Sequence, residues 1–212
     1  MSYYPIFLEL AGRRCVVIGG GAVAERKVEG LLRSQAAITV ISPRQTKLLK
    51  TWAGEKKIDV IVREYQPGDL KGYELAFAAT EDKKVNAAVS KEGKASGVWV
   101  NAADDPAHCD FILPSILRRG ELTVAVATGG ASPALSRLIR EELESYFGAD
   151  YAVLVEVAAE ARKELKENFL NTAPEQWQKA LDENLRSLVR SGKREEAKGY
   201  LLAKLGEEHA DR

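Results

Sequence analysis

Short apolar runs and amphipathic stretches alternate along the first half of the chain. Residues 13–18, 37–41, 58–62, 73–79 and 98–100 are compact runs dominated by apolar side chains, each ending near turn-forming residues. That is the signature of strands buried on both faces of a parallel sheet. Between them, 22–33, 46–54 and 82–93 have helical character. The first helix is expected to carry Val23, Lys27, Gly30, Leu31 and Ser34 along one side. The second presents Leu48, Leu49 and Trp52, and the third Val85, Ala88 and Val89. Alternating strands and helices predict an α/β fold, a parallel sheet with right-handed crossovers. The stretch 4–10 precedes the first strand and is expected at the sheet's edge.

The pattern changes after Pro106. Two strands are predicted at 111–117 and 122–127, joined through a hairpin-like turn at 118–121. Ser132 followed by Pro133 reads as an N-cap with proline in the first helical position, opening a helix to about Phe147. From Asp150 onward the chain is charged and helical, with breaks near 171–174 and 191–192, and forms a separate helical module.

The first strand ends in Gly19-Gly20-Gly21, giving the spacing Gly19-x-Gly21-x-x-Ala24 of the dinucleotide fingerprint. Gly19 permits the sharp turn, Gly21 lets a pyrophosphate approach the backbone, and Ala24 is small enough for close helix–strand packing. The free N–H groups that open the helix, at Ala22 and Val23, then face the diphosphate. The plainer alternative is a tight β–α turn that binds nothing. Ligands of such sheets bind beyond the carboxyl ends of the strands. That edge collects Gly19–Val23, Ser42-Pro43-Arg44, Ala79-Thr80-Glu81 and residues 101–105, beginning with Asn101. Strand two ends on Ser42 and Pro43 and not on the acidic residue that usually binds the ribose. Arg44 beside them either accepts a 2′-phosphate, which favours NADP, or is a solvated charge, so these residues leave NAD and NADP open.

Asp104 and Asp105 follow strand five. One of them is a base or metal ligand, or the Asp-Asp-Pro sequence is ordinary turn chemistry. His108 with Asp104 and Asp110 is a thin metal set, and a surface histidine is the simpler reading. His209 sits in a charged tail. Residues 128–133, Thr128 to Pro133, either cradle an anion or simply cap a helix. Arg118, Arg119, Arg137 and Arg140 either meet a polyanion or are surface charges.

The 212 residues suffice for one sizeable domain and a smaller one. Equal numbers of basic and acidic residues, 31 each, give no global field for nucleic acid. No apolar run is long enough to span a bilayer, and the start lacks a signal-peptide pattern. Cys15 and Cys109 form no metal-type pair, and Cys15 is expected in the core. These features favour the cytoplasm.

The chain resembles the precorrin-2 dehydrogenase/sirohydrochlorin ferrochelatase family of siroheme biosynthesis. The matching stretches, in the family's order, are Pro5-Ile6-Phe7, Val17-Ile18-Gly19-Gly20-Gly21-x-Val23-Ala24-Glu25-Arg26-Lys27, Ala78-Ala79-Thr80, Asn101-x-x-Asp104-x-Pro106, Phe111-Ile112-x-Pro114-Ser115 and Gly129-Gly130-x-Ser132-Pro133. They cover about the first two-thirds of the chain. The resemblance implies a Rossmann-type NAD-binding domain at 1–113, a small α+β dimerisation region at 114–148 and a helical domain at 149–212. It implies oxidation of precorrin-2 to sirohydrochlorin with NAD by a homodimer. Some members also insert Fe²⁺ as a substrate, and the sequence leaves open whether this chain does. The family's key aspartate falls on Asp104. A serine that is phosphorylated in some fused members falls on Thr128. The expected cofactor-binding set is Gly19, Gly20, Gly21, Ala22, Val23, Ser42, Pro43, Arg44, Ala79, Thr80 and Asn101, with no resident metal, nucleic acid or membrane partner. The competing non-enzymatic reading is a dinucleotide-sensing module that signals through the helical tail.

Overall fold

The computed structural model describes residues 3–103, 105–168 and 172–207. The chain divides into two compact units, Met1–Leu113 and Pro114–Arg212. The first contains β1 (Arg14–Ile18), α1 (Ala22–Arg33), β2 (Ala37–Ile41), α2 (Lys47–Gly54), β3 (Asp59–Ile61), β4 (Leu75–Ala78), α3 (Lys83–Ser96) and β5 (Trp99–Ala102). The strands form one parallel sheet in the order β3-β2-β1-β4-β5. Chain order reverses between β1 and β4, the switch point where such sheets open a crevice. In register, Val17 pairs with Val40 on one side and Phe77 on the other, and Phe77 pairs with Asn101. Cys15, Val17, Ala24, Val28, Leu31, Leu49 and Phe77 pack one face of the sheet, while Val16, Ile18, Ala76, Val89 and Val100 pack the other.

Helix faces depart from the sequence expectation. The buried positions of α1 are Ala24, Val28 and Leu31, whereas Gly30 is exposed. The small Ala24 lies directly after the turn, so it is brought against the sheet and its i+4 and i+7 neighbours follow. In α3 the buried residues are Asn86, Val89, Ser90 and Gly93, and Ala88 faces out. A Cβ on Gly93 would sit 2.2 Å from Val100 Cγ2, so the helix approaches β5 more closely than a larger residue allows. This helix continues to Ser96 and ends at Gly97, whose φ of +74° gives a left-handed C-cap.

Residues 4–10 form no strand. Tyr4 and Phe7 are exposed, and only Leu10 packs against the core. Phe7 to Leu10 instead line a cleft of about 510 Å³ with Arg13, Tyr73 and Trp99, at the amino ends of the strands. Residues 111–114 also lie outside any strand. Phe111 turns back to pack edge-on against Phe77, with ring centroids 5.6 Å apart.

In the second unit, β6 (Ser115–Arg119) and β7 (Leu122–Val126) pair antiparallel, Ser115 opposite Val126 and Arg119 opposite Leu122. The turn is therefore only Gly120-Glu121, tighter than the expected 118–121, with Gly120 at φ +56°. The helices are α4 (Pro133–Tyr146), α5 (Asp150–Glu167), α6 (Pro174–Ala180), α7 (Glu183–Arg190) and α8 (Arg194–Glu207). Val157, Ala161, Leu165, Leu185, Val189, Ala197, Leu201 and Leu205 form the core of α5–α8. Residues 114–148 and 149–212 thus share one unit, in which Arg119 Nε donates to Phe147 O at 2.8 Å. Of the break expected at 171–174, Asn171 lies outside the described residues, and Pro174 opens α6. A further break at Asp182, which caps α7 by accepting from Leu185 N, was not expected. Gly192, at φ +73°, separates α7 from α8.

Candidate functional site

β1 delivers its carboxyl end into the three-glycine turn at the switch point. Gly19 has φ +121°, and a Cβ there would lie 2.3 Å from Ala79 O. On Gly20 a Cβ would lie 2.0 Å from Arg44 O. These two glycines are dictated by the backbones packed on either side. Gly21 differs, for a Cβ on it meets nothing within 4 Å. Gly21 is also the N-cap of α1 and offers no side-chain cap. Helix geometry leaves the first-turn N–H groups without intrahelical acceptors. A helix start without a side-chain cap, opened by a glycine with room beside it, suits a diphosphate. The residues present therefore fit a dinucleotide.

Ser42 and Ala79 flank this turn. Ser42 is buried, and its Oγ donates to Arg44 O at 2.6 Å and accepts from Arg44 N at 3.3 Å. Thr46 N donates to Gly20 O at 3.0 Å, fastening the post-β2 segment to the glycine turn. Pro43 and Arg44 are exposed beside it. Across the switch point, Ala79 N donates to Ile18 O at 2.8 Å. Thr80 is held by Asn86, which accepts from Thr80 Oγ1 at 2.9 Å and donates to Thr80 O at 3.0 Å. Asn86 was not singled out in the sequence. A buried asparagine four residues into the α3 region carries no local signal, because its partner is a turn.

Asn101, on β5, turns its amide to the protein. Its Nδ2 donates to Phe111 O at 2.9 Å, and its Oδ1 accepts from Lys27 Nζ at 3.2 Å. The Lys27 ammonium also stands 5.8 Å from the centre of the Phe77 ring. Beyond β5, Asp104 lies outside the described residues. Asp105 Oδ2 and His108 Nδ1 are 2.7 Å apart, so His108 is a paired side chain and not an isolated surface one. Ala102 N donates to Cys109 Sγ at 3.2 Å, and that sulfur lies 3.2 Å from Ala102 O and 3.3 Å from Asp105 O. Burial pushes the Cys109 thiol up from its ordinary range. Asp110 closes the loop, its N–H donating to Val100 O and its Oδ2 accepting from Val100 N, both at 2.8 Å. Among the described residues no group of three His, Cys, Asp or Glu side chains can hold a metal ion.

An NAD(P)-binding family model matches residues 6–115, just over half of the chain. A model for the central region of sirohaem biosynthesis proteins matches residues 119–146. The chain belongs to this NAD(P)-binding family. A siroheme synthase of Nitrosococcus oceani is 40% identical over 207 residues, 97% of this chain and 44% of the relative. One from Nitrosomonas eutropha is 39% identical over 211 residues, 97% of this chain and 44% of the relative. The chain thus spans under half the length of these curated relatives. The solved structure of SirC, a precorrin-2 dehydrogenase, superposes with a TM-score of 0.75 at 28% identity, covering 93% of this chain and 99% of that one.

The second unit contains the other stretch singled out in the sequence. Gly129 and Gly130 have φ of +62° and +86°, and Ser132 caps α4 by accepting from Leu135 N at 3.1 Å. Thr128 Oγ1 accepts from Ser132 N at 3.0 Å and lies 3.1 Å from the buried Ser136 hydroxyl. Thr128 thereby fastens the turn. Arg137 pairs with Glu141, Arg140 with Glu141 and Glu144, and Arg119 with the backbone. Arg137, Arg140 and Arg119 thus have protein partners. His209 lies outside the described residues. No described helix is long and apolar enough to cross a membrane.

Proposed function

We propose that this chain is an NAD-dependent dehydrogenase that oxidises precorrin-2 to sirohydrochlorin. The observation that carries the reading is the open, uncapped Gly21 turn at the sheet's switch point, in a chain that matches SirC, a precorrin-2 dehydrogenase, over 93% of its length. Gly19–Val23 would hold the diphosphate. Ser42, Pro43 and Arg44 would border the adenosine half, and Ala79, Thr80 and the region around Asn101 the other half. NAD held there would supply the hydride acceptor for oxidation of the tetrapyrrole. Asp104, beyond β5, is the carboxylate proposed to take up the proton released with it. Cys15 and Cys109 are both free thiols, which supports a reducing, cytoplasmic setting. Exposed Ile116, Leu135 and Leu138 support a homodimer formed through the second unit.

The test is anaerobic incubation of the purified chain with precorrin-2 and NAD, following NADH and sirohydrochlorin together. Equal formation of both is expected, and failure to form either overturns the dehydrogenase in favour of a dinucleotide-sensing module. A second reading adds insertion of Fe²⁺ into sirohydrochlorin, favoured by the relatives named siroheme synthase. Incubation of the same protein with sirohydrochlorin and Fe²⁺ decides it by the appearance of siroheme above the rate without protein.

A further inference from the structure

The loop that follows β5 is closed at its base by protein contacts, and one of them reaches out of the loop to the dinucleotide helix. Val100 and Asp110 bridge the base twice, and Cys109 is held against Ala102. Asn101 sits between these contacts. One side of its amide takes Phe111 O, just past the loop, and the other takes the ammonium of Lys27 on α1. Lys27 and Asn101 are 74 positions apart, so this tie is purely tertiary. It is partly buried and charge-assisted, which makes it stronger than a neutral surface contact. Phe77 and Phe111 flank it with their rings. Lys27 lies beyond the first turn of α1, whose start faces the diphosphate space.

We propose that Lys27 and Asn101 are positioning residues, a tie from α1 to β5 whose amide end also holds Phe111 O and Cys109 Sγ, so that it fixes the segment leaving β5 relative to α1. This rests on the dehydrogenase reading for its kinetic consequence alone. A misplacement of about 1 Å by a group remote from the chemistry costs about 10²-fold in rate. Lys27→Met keeps the stem and removes the ammonium, Asn101→Ala removes the amide, and Lys27→Arg keeps a charged donor.

Two measurements test the tie on the full-length chain. The first needs no turnover. Cys15 is fully buried and its thiol is pushed up to about 11, so a thiol reagent near neutral pH reads Cys109. Because loss of the Lys27 charge by itself pushes the Cys109 thiol further up, the rate is compared per thiolate, taken from its pH dependence. On that scale Lys27→Met is expected to speed Cys109 modification about tenfold and Lys27→Arg to restore most of the protection, in proteins whose circular dichroism matches the parent. The second is steady-state kinetics with precorrin-2 and NAD beside calorimetric NAD binding. Lys27→Met and Asn101→Ala should each lower kcat about 10²-fold, and Lys27→Met should leave the NAD dissociation constant unchanged. The double variant should lose no more than either single one, because the two act as one unit. Parental reactivity per thiolate in Lys27→Met overturns the tie. Faster thiol modification with parental kcat overturns its role in positioning, and so does a loss of NAD affinity in Lys27→Met matching its loss of rate. A parent chain that does not turn over precorrin-2 overturns the dehydrogenase reading and leaves the thiol measurement to judge the tie.

Discussion

Gly19, Gly20 and Gly21 are adjacent and chemically identical, yet their surroundings demand different things. Gly19 needs its positive φ and has a carbonyl where a side chain would go. Gly19→Ala should therefore destabilise the chain by roughly 1–3 kcal/mol, the usual cost of a strained backbone position, seen as a lower thermal midpoint. Gly21 has room, so Gly21→Asp should fold normally. Its carboxylate would stand where the pyrophosphate must lie, and NAD affinity should fall at least about tenfold, roughly 1.4 kcal/mol. Calorimetry showing parental NAD affinity in Gly21→Asp would mean that the dinucleotide does not use this turn. Asp104→Asn keeps the side-chain shape and removes both base and charge. It should lower kcat by about 10²–10⁴-fold with NAD affinity unchanged, and Asp105→Asn should do less. A larger loss in Asp105→Asn would move the proposed role to that residue, which the structure already pairs with His108.

At the scale of elements, α3 and the β3–β4 connection hold each other through carboxylates. Glu92 accepts from Gly68 N at 3.0 Å, from Leu70 N at 2.8 Å and from the Tyr65 hydroxyl. Burial first, then the Glu92 contact, pushes the Tyr65 phenol up. Within the connection Arg63 grips Asp69 with two N–H groups at 2.7 and 2.6 Å. That hydrogen bonding holds the Asp69 carboxyl below the usual carboxylate range. A carboxylate with a depressed folded pKa contributes stability that is complete above the unfolded value, about 3.9. The contribution is lost as pH falls through the lower folded value. Asp69→Asn should therefore be less stable than the parent in urea at pH 7, and the gap should narrow below about pH 4. A gap that is constant with pH would assign the difference to packing. The strands were legible because each is a short apolar run with no competing period. The inward faces of α1 and α3 were not legible because Ala24, Asn86, Ser90 and Gly93 face the sheet by virtue of size and hydrogen bonding, which hydropathy does not register. The start of β6 was misplaced because Phe111 is apolar on behalf of Phe77, not of the hairpin. The glycine turn and its flanking strand ends were readable from spacing alone. The Lys27–Asn101 tie was not, since nothing local marks two residues that meet across 74 positions.

At the scale of the whole molecule, the second unit leaves apolar surface that its own elements do not cover. A two-stranded sheet is marginal by itself, and α4 packs on both β6 and β7. Ile116 on β6 is still 43% exposed, and Leu135 and Leu138 on α4 are 46% and 52% exposed. Among the described residues β6 and β7 pair only with each other, so each also presents an unpaired edge. Apolar side chains of this kind, on a helix and on the sheet beside it, are the material of an obligate homodimer interface. Light scattering at micromolar concentration should therefore return twice the 23.2 kDa mass of the chain. Leu138→Glu places a charge in that surface without disturbing a buried contact. It should weaken association at least about tenfold, the loss expected at a well-packed interface position, and shift the scattering mass toward the single chain. NAD affinity should not change, because Gly19–Val23 belong to the first unit. A parent that scatters as a single chain would refute the dimer, and a Leu138→Glu variant that stays fully dimeric would place the interface elsewhere on the second unit.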